Sequence, residues 1–158
     1  MRHQQITELF DAHAAALVLF ARTWCQMPED AVQAAFIDLS QLDEAPRQPV
    51  AWLYTTTKRK ALNIVRSEAR YCQHTEHAAT MTPPWFEAED AAVEDRNGEI
   101  RSALELLTPA DREIIVARVW GGLGYEQLAE LLGCSVTTAF RQYKCALKKL
   151  KKIFESVP

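Results

Sequence analysis

The sequence predicts an all-α chain of two small helical domains, residues 1–71 and 93–158, joined by a flexible acidic linker at 72–92. Three observations carry this expectation. Apolar residues recur at three- and four-residue steps through most of the chain, and no stretch alternates apolar and polar as a half-buried strand does. That periodicity fades from Cys72 to about Ala92, where Thr80-Met81-Thr82-Pro83-Pro84 precedes Glu87, Glu89 and Asp90. The length of 158 residues suits one ordinary domain or two small ones, and 48% hydrophobic residues excludes a wholly disordered chain.

The elements follow in order. Leu9, Ala12, Ala16, Phe20 and Trp24 mark an amphipathic helix over Gln5 to Gln26. Pro28 suits the first turn of a second helix, with Glu29 and Asp30 complementing its dipole. Val32, Ala35, Phe36, Leu39 and Leu42 carry that helix until Pro46 and Pro49 break the pattern. A third helix runs from about Val50 to Tyr71, with Leu53, Thr57, Ala61, Ile64 and Val65 as its inward stripe. Order returns near Val93, and Ile100, Leu104 and Leu107 form the next stripe. Thr108-Pro109-Ala110-Asp111 then reads as an N-cap, a first-position proline and an acid three residues past the cap. Ile114, Ile115, Val119 and Trp120 carry this helix to Gly121-Gly122. A short helix from Tyr125 to Leu132 ends at Gly133, and Ser135 caps a last helix to about Phe154.

Charge is distributed unevenly. The net charge is −3, yet residues 1–71 sum to zero, 72–100 to −6 and 101–158 to +3. A mildly acidic whole therefore does not exclude nucleic acid, because binding responds to the local patch.

The most informative stretch runs from Tyr125 to Lys144 and reads as a helix-turn-helix. Ala129 is small where two helices cross, and Gly133 permits the left-handed backbone of a tight turn. Leu128, Leu132, Val136, Ala139 and Tyr143 are expected to face inward. Ser135 leaves a helix N-terminus suited to a phosphate. Thr137, Thr138, Phe140, Arg141 and Lys144 then face outward, within reach of phosphates or base edges in a major groove. Lys148, Lys149, Lys151 and Lys152 extend the basic stripe. In the first half, Trp52, Tyr54, Lys58, Arg59, Lys60, Arg66 and Arg70 mix aromatics that can stack on unpaired bases with cations that can track phosphates.

These motifs together resemble those of the extracytoplasmic-function (ECF) sigma factors, a two-domain class within the sigma-seventy superfamily of bacteria, over nearly the whole chain. Asp30-Ala31-Val32-Gln33 with Phe36 is similar to the family's D-x-V-Q-E-x-F segment, with Ala34 in place of the usual Glu. Ala51-Trp52-Leu53-Tyr54, then Ala61-Leu62 and Arg66, is similar to its A-W-L-Y helix and A-L-D-x-x-R pattern, with Asn63 replacing the Asp. Leu107-Thr108-Pro109 with Arg112 resembles the start of its fourth region, and Gly122 to Leu150 its helix-turn-helix. The resemblance implies a region 2-like domain at 1–71 that binds core RNA polymerase through Asp30 and Gln33. It implies that Trp52, Tyr54, Lys58, Arg59 and Arg66 engage the melted −10 strand. It implies a region 4-like domain at 93–158 that reads the double-stranded −35 element through Ser135, Thr137, Thr138, Phe140, Arg141, Lys144 and Lys148. An anti-sigma factor is a further expected partner. The alternative is a stand-alone helix-turn-helix transcription regulator that does not bind polymerase.

Other classes find little support. Cys72-x-His74-x-x-His77 matches no common zinc spacing, so no metal and no cofactor are expected. There is no phosphate-cradling Gly-rich loop, metalloprotease helix or nucleophile elbow, and the adjacent Glu29 and Asp30 diverge on a helix. No enzyme is expected. The longest apolar run, Ala14 to Ala21, falls far short of a membrane span of about 20 residues, and Glu8 and Asp11 do not suit a secretory leader. A cytoplasmic protein without membrane insertion is expected, its cysteines reduced, with Cys134 and Cys145 acting as small apolar helix residues.

Overall fold

The computed structural model describes residues 2–74 and 95–156, apart from the side chains of 72–74 and 95–97. The linker expected at 72–92, with Trp85-Phe86 inside it, and most of the Cys72/His74/His77 cluster lie outside the described residues. All regular structure among the described residues is helical. The first half holds α1 (His3–Ala21), α2 (Pro28–Ser40) and α3 (Pro49–His74). The second holds α4 (Asp95–Glu105), α5 (Pro109–Ile115), α6 (Tyr125–Leu132) and α7 (Val136–Ser156). A π-helical turn, Val116–Trp120, extends α5 to Gly121.

The helices of the first half pack pairwise on one another, with Leu17, Phe20, Ala35, Leu39, Leu53 and Ala61 in the core. Two expectations shift. The α1 helix stops at Ala21, leaving Trp24 beyond its end, and its inward stripe runs through Ile6, Leu9, Leu17 and Phe20 while Ala12 is exposed. On α3, Leu53, Thr57 and Ala61 are buried as expected, but Val65 is exposed because the helix outruns its neighbours.

In the second half, Leu104, Leu107, Ile115 and Ala146 form a compact cluster with Ile100, Leu150 and Ile153 against it. The Thr108 cap forms as its sequence predicts, its hydroxyl accepting from the Asp111 amide at 3.3 Å. Asp111 also accepts from Lys149 at 2.9 Å, tying α5 to α7. The Arg112 guanidinium donates to the carbonyls of Leu104, Glu105 and Leu107, which ties α5 to the end of α4 and the turn that follows it. Val119 and Trp120 carry the helix to Gly121 as a π turn and are exposed, because the wider turn rotates them off the buried face of Ile114 and Ile115.

The two halves pack together. Val116, Ala117, Leu123, Leu128, Ala129, Leu131 and Ala139 join the cluster built by α1–α3. The π turn lies against α1, and α6 lies beside α3. Gly121 sits where an added Cβ would collide with the Tyr54 hydroxyl, so only glycine permits this approach.

Candidate nucleic-acid interface

Gly133 ends α6 at φ 68°, the left-handed conformation the turn requires, and the amide of Cys134 returns to the Ala129 carbonyl at 3.0 Å. Ser135 then caps α7: its hydroxyl accepts from the Thr138 amide at 3.2 Å and donates to the Thr138 hydroxyl at 2.9 Å. Leu128, Ala129 and Ala139 are buried at the helix crossing, and Tyr143 is half-buried. Val136 is exposed, contrary to expectation, because the first residue of α7 projects past the end of α6. Cys134 packs partly buried against the core but lies in the turn rather than in a helix, and Cys145 is on α7 but exposed. Cys25 is buried, and that burial raises its thiol pKa.

Of the residues expected at duplex DNA, Ser135, Thr137, Phe140, Arg141, Lys144 and Lys148 are exposed and Thr138 is half-buried. Thr137, Arg141, Lys144 and Lys148 fall at helical spacing along one face of α7. Lys149 leaves that stripe to pair with Asp111.

The first half answers differently. Asp30 and Gln33 are exposed on α2, and Arg66 is exposed on α3. Tyr54 is not available to stack on a base: it is fully buried, edge-on to Phe20 with ring centroids 4.9 Å apart. Its place on the same helical face as Thr57, Lys58 and Ala61 turns it toward the seam between the halves. Lys58 is held by Glu113 at 2.7 Å and lies 4.9 Å over the Trp24 ring. Arg59 and Lys60 both reach Asp38, at 3.7 and 2.9 Å. Trp52 is half-buried in a cleft of about 630 Å³ whose far wall carries Glu126 and Glu130 of α6. Carboxylates thus face Lys58, Arg59 and Trp52, three of the residues expected to meet the −10 strand, and Lys60 beside them.

Glu113 is the residue that sequence reading missed. It is 2% exposed, and burial pushes its carboxyl above the ordinary carboxylate range while the hydrogen bond and charge of Lys58 pull it back. A raised acid pKa means the packed form takes up a proton more readily than an opened one. Its contribution to packing is complete below the opened-form pKa and fades as pH rises through the packed-form value. A Glu113→Gln chain is expected to show a flatter pH dependence of its small-angle-scattering radius between pH 4 and 8 than the parent; superimposable profiles would remove this role.

The turn-separated helix pair with a basic second helix has the geometry of a helix-turn-helix, here joined to a second helical bundle. Residues 97–150 match the family described as sigma-70, region 4. The ECF RNA polymerase sigma factor SigK of Mycolicibacterium vanbaalenii is 27% identical over 113 residues, covering 70% of this chain and 58% of that one, so this chain spans less than two thirds of that relative. SigK of Mycobacterium bovis is 26% identical over 134 residues, covering 80% and 72%. The sigma factor RpoE from Bartonella quintana, solved with the anti-sigma factor NepR, aligns with TM-score 0.68 at 21% identity over 96% of this chain and 97% of its own. CnrH, solved with the cytosolic domain of CnrY, aligns with TM-score 0.66 at 22% identity over 99% and 92%. The second half is thus similar to sigma-70 region 4, and most of the chain is similar, at 25–27% identity, to ECF sigma factors. Among the described residues, no helix is long and apolar enough to cross a membrane.

Proposed function

We propose that this chain binds bacterial core RNA polymerase and directs promoter-specific initiation by recognising −35 and −10 elements. The observation that carries this reading is the helix-turn-helix with its free basic stripe on α7, set in a chain that aligns along almost its whole length with sigma factors. Residues 93–158 form the −35 domain, read through Thr137, Thr138, Phe140, Arg141 and Lys144, with Ser135 and Lys148 on phosphates. Residues 1–71 form the domain that meets polymerase through Asp30 and Gln33 and the −10 strand through Trp52, Lys58, Arg59 and Arg66, and 72–92 join the two. Tyr54 serves as a packing residue at the seam. The likeness to the sigma factor RpoE, solved with the anti-sigma factor NepR, supports an anti-sigma factor as a third partner. The chain makes and breaks no bond in this role and acts in the cytoplasm, where polymerase meets promoters.

Because Lys58 is engaged and Trp52 faces acidic residues, the halves part before −10 DNA is bound. The test is run-off transcription by core polymerase on a promoter library, with and without the chain. Specific initiation that requires the chain supports the reading. Retained duplex binding without core binding or initiation would favour a stand-alone regulator. Within such complexes, Lys148→Ala is expected to weaken binding to all sequences alike and to lower the salt slope by about one. A sequence-selective loss would move Lys148 to base readout.

A further inference from the structure

We infer that Arg118 and Tyr125 are positioning residues for DNA readout, fixing Phe140 and Lys144 of the recognition helix from behind. This rests on the −35 reading above and deepens it. The Arg118 guanidinium lies 4.7 Å over the Tyr125 ring and 5.9 Å from that of Tyr143. Its Nη1 donates to the Leu123 carbonyl at 2.8 Å, which anchors the cation to the loop that leads into α6. Tyr125, the first residue of α6, meets Phe140 edge-to-face with centroids 5.2 Å apart, and Tyr143 at 6.0 Å. On the far side, the Lys144 ammonium lies 5.4 Å from the Phe140 ring centroid. The series therefore runs cation, ring, ring, cation, from the half-buried Arg118 and Tyr125 to the exposed Phe140 and Lys144.

Each link has a physical reason. A guanidinium over a phenol ring and an edge-to-face ring pair each favour one arrangement by roughly five-fold over its alternatives. An exposed phenylalanine is otherwise free to swing between rotamers, and such freedom is lost on docking into a groove. Phe140 is 42% exposed, so its outer edge remains open to an apolar partner such as a thymine methyl. Tyr125 fixes the ring, and the ring face holds the Lys144 ammonium near the groove. Loss of either inner residue leaves α7 in place but frees the two side chains that it presents.

The test uses the full chain bound to core polymerase, selecting from promoter duplexes randomised across the upstream element. Phe140→Ala identifies the position that Phe140 reads. Tyr125→Leu and Arg118→Met are expected to flatten base preference at that same position and to weaken upstream-element binding roughly five-fold. Tyr125→Phe keeps the ring and is expected to retain the parent profile. A lowered melting temperature with an unchanged profile in both Tyr125→Leu and Arg118→Met would assign a merely structural role and overturn the inference. Equal loss of preference at every position, or failure of Tyr125→Phe to rescue, would overturn it as well. A parent chain that enriches no upstream sequence would instead refute the sigma reading itself, and this inference with it.

Discussion

Gly121→Ala is expected to part the two halves of the chain and to open the −10 face of α3. The backbone at Gly121 has φ −81°, which any residue adopts, so the demand for glycine is one of space alone. An alanine Cβ would collide with the hydroxyl and ring of Tyr54 and with the Ala117 carbonyl. Tyr54 cannot yield easily, because its ring is fully buried and locked against Phe20. Overpacking of this kind costs about 1–3 kcal/mol, which shifts a packed-to-open equilibrium by roughly 5- to 150-fold.

Less opposes that opening than the apolar seam implies. The Tyr54 and Thr57 hydroxyls and the Trp24 indole N–H are buried with no hydrogen-bond partner among the described residues. Each such group costs about 1–3 kcal/mol while it stays buried, and those at the seam regain water when it opens. The Lys58–Glu113 pair holds the halves, but its lysine is a quarter exposed, so separation returns it readily to solvent. Small-angle scattering of the Gly121→Ala chain is expected to show a larger radius of gyration. Its affinity for a single-stranded −10 oligonucleotide is expected to rise by a similar factor. An unchanged radius with a lower melting temperature would place the strain inside the second half and leave the seam closed.

The legible and illegible parts of this fold divide along a physical line. Features set by local geometry were readable: Pro28 and Pro109 in first turns, the Thr108 and Ser135 caps, and Gly133 in the left-handed region. Each depends on a few neighbouring residues, and the helix-turn-helix is built from such features. The seam was not readable, because Lys58 and Glu113 are 55 residues apart and neither carries a local sign of the other. Tyr54 shows how the error arose. An aromatic among cations has the composition of a strand-binding face, yet its helical register with Leu53, Thr57 and Ala61 was the better guide to burial. Gly121 carried a signal of another kind. Beside Gly122, which takes φ 66° and ends the helix, it had no turn to make and so was spare for a close approach.

Arg141→Ala is expected to weaken binding to the −35 element by about 1–3 kcal/mol and to relax preference at a single base pair. Arg141 is exposed and has no ion-pair partner among the described residues, unlike Lys149, which Asp111 holds. No existing contact is broken when it turns to DNA, so a new one is not offset. It stands one turn beyond Thr137 and Thr138, in the N-terminal part of α7 that a recognition helix points toward base edges. Lys148 lies almost two turns further along and meets the backbone. A planar guanidinium matches the paired acceptors of guanine, whereas an ammonium does not, which makes Arg141→Lys the decisive companion. That variant keeps the charge and is expected to retain non-specific affinity and salt slope while losing the guanine preference. The measurement is competition binding by the polymerase-bound chain to duplexes that differ at one position in the upstream element. If Arg141→Lys retains the parent base preference, Arg141 contacts phosphate and the readout falls to Thr137, Thr138 and Phe140. If it loses preference while the salt slope holds, Arg141 reads a base, and the helix-turn-helix supplies sequence information as well as affinity.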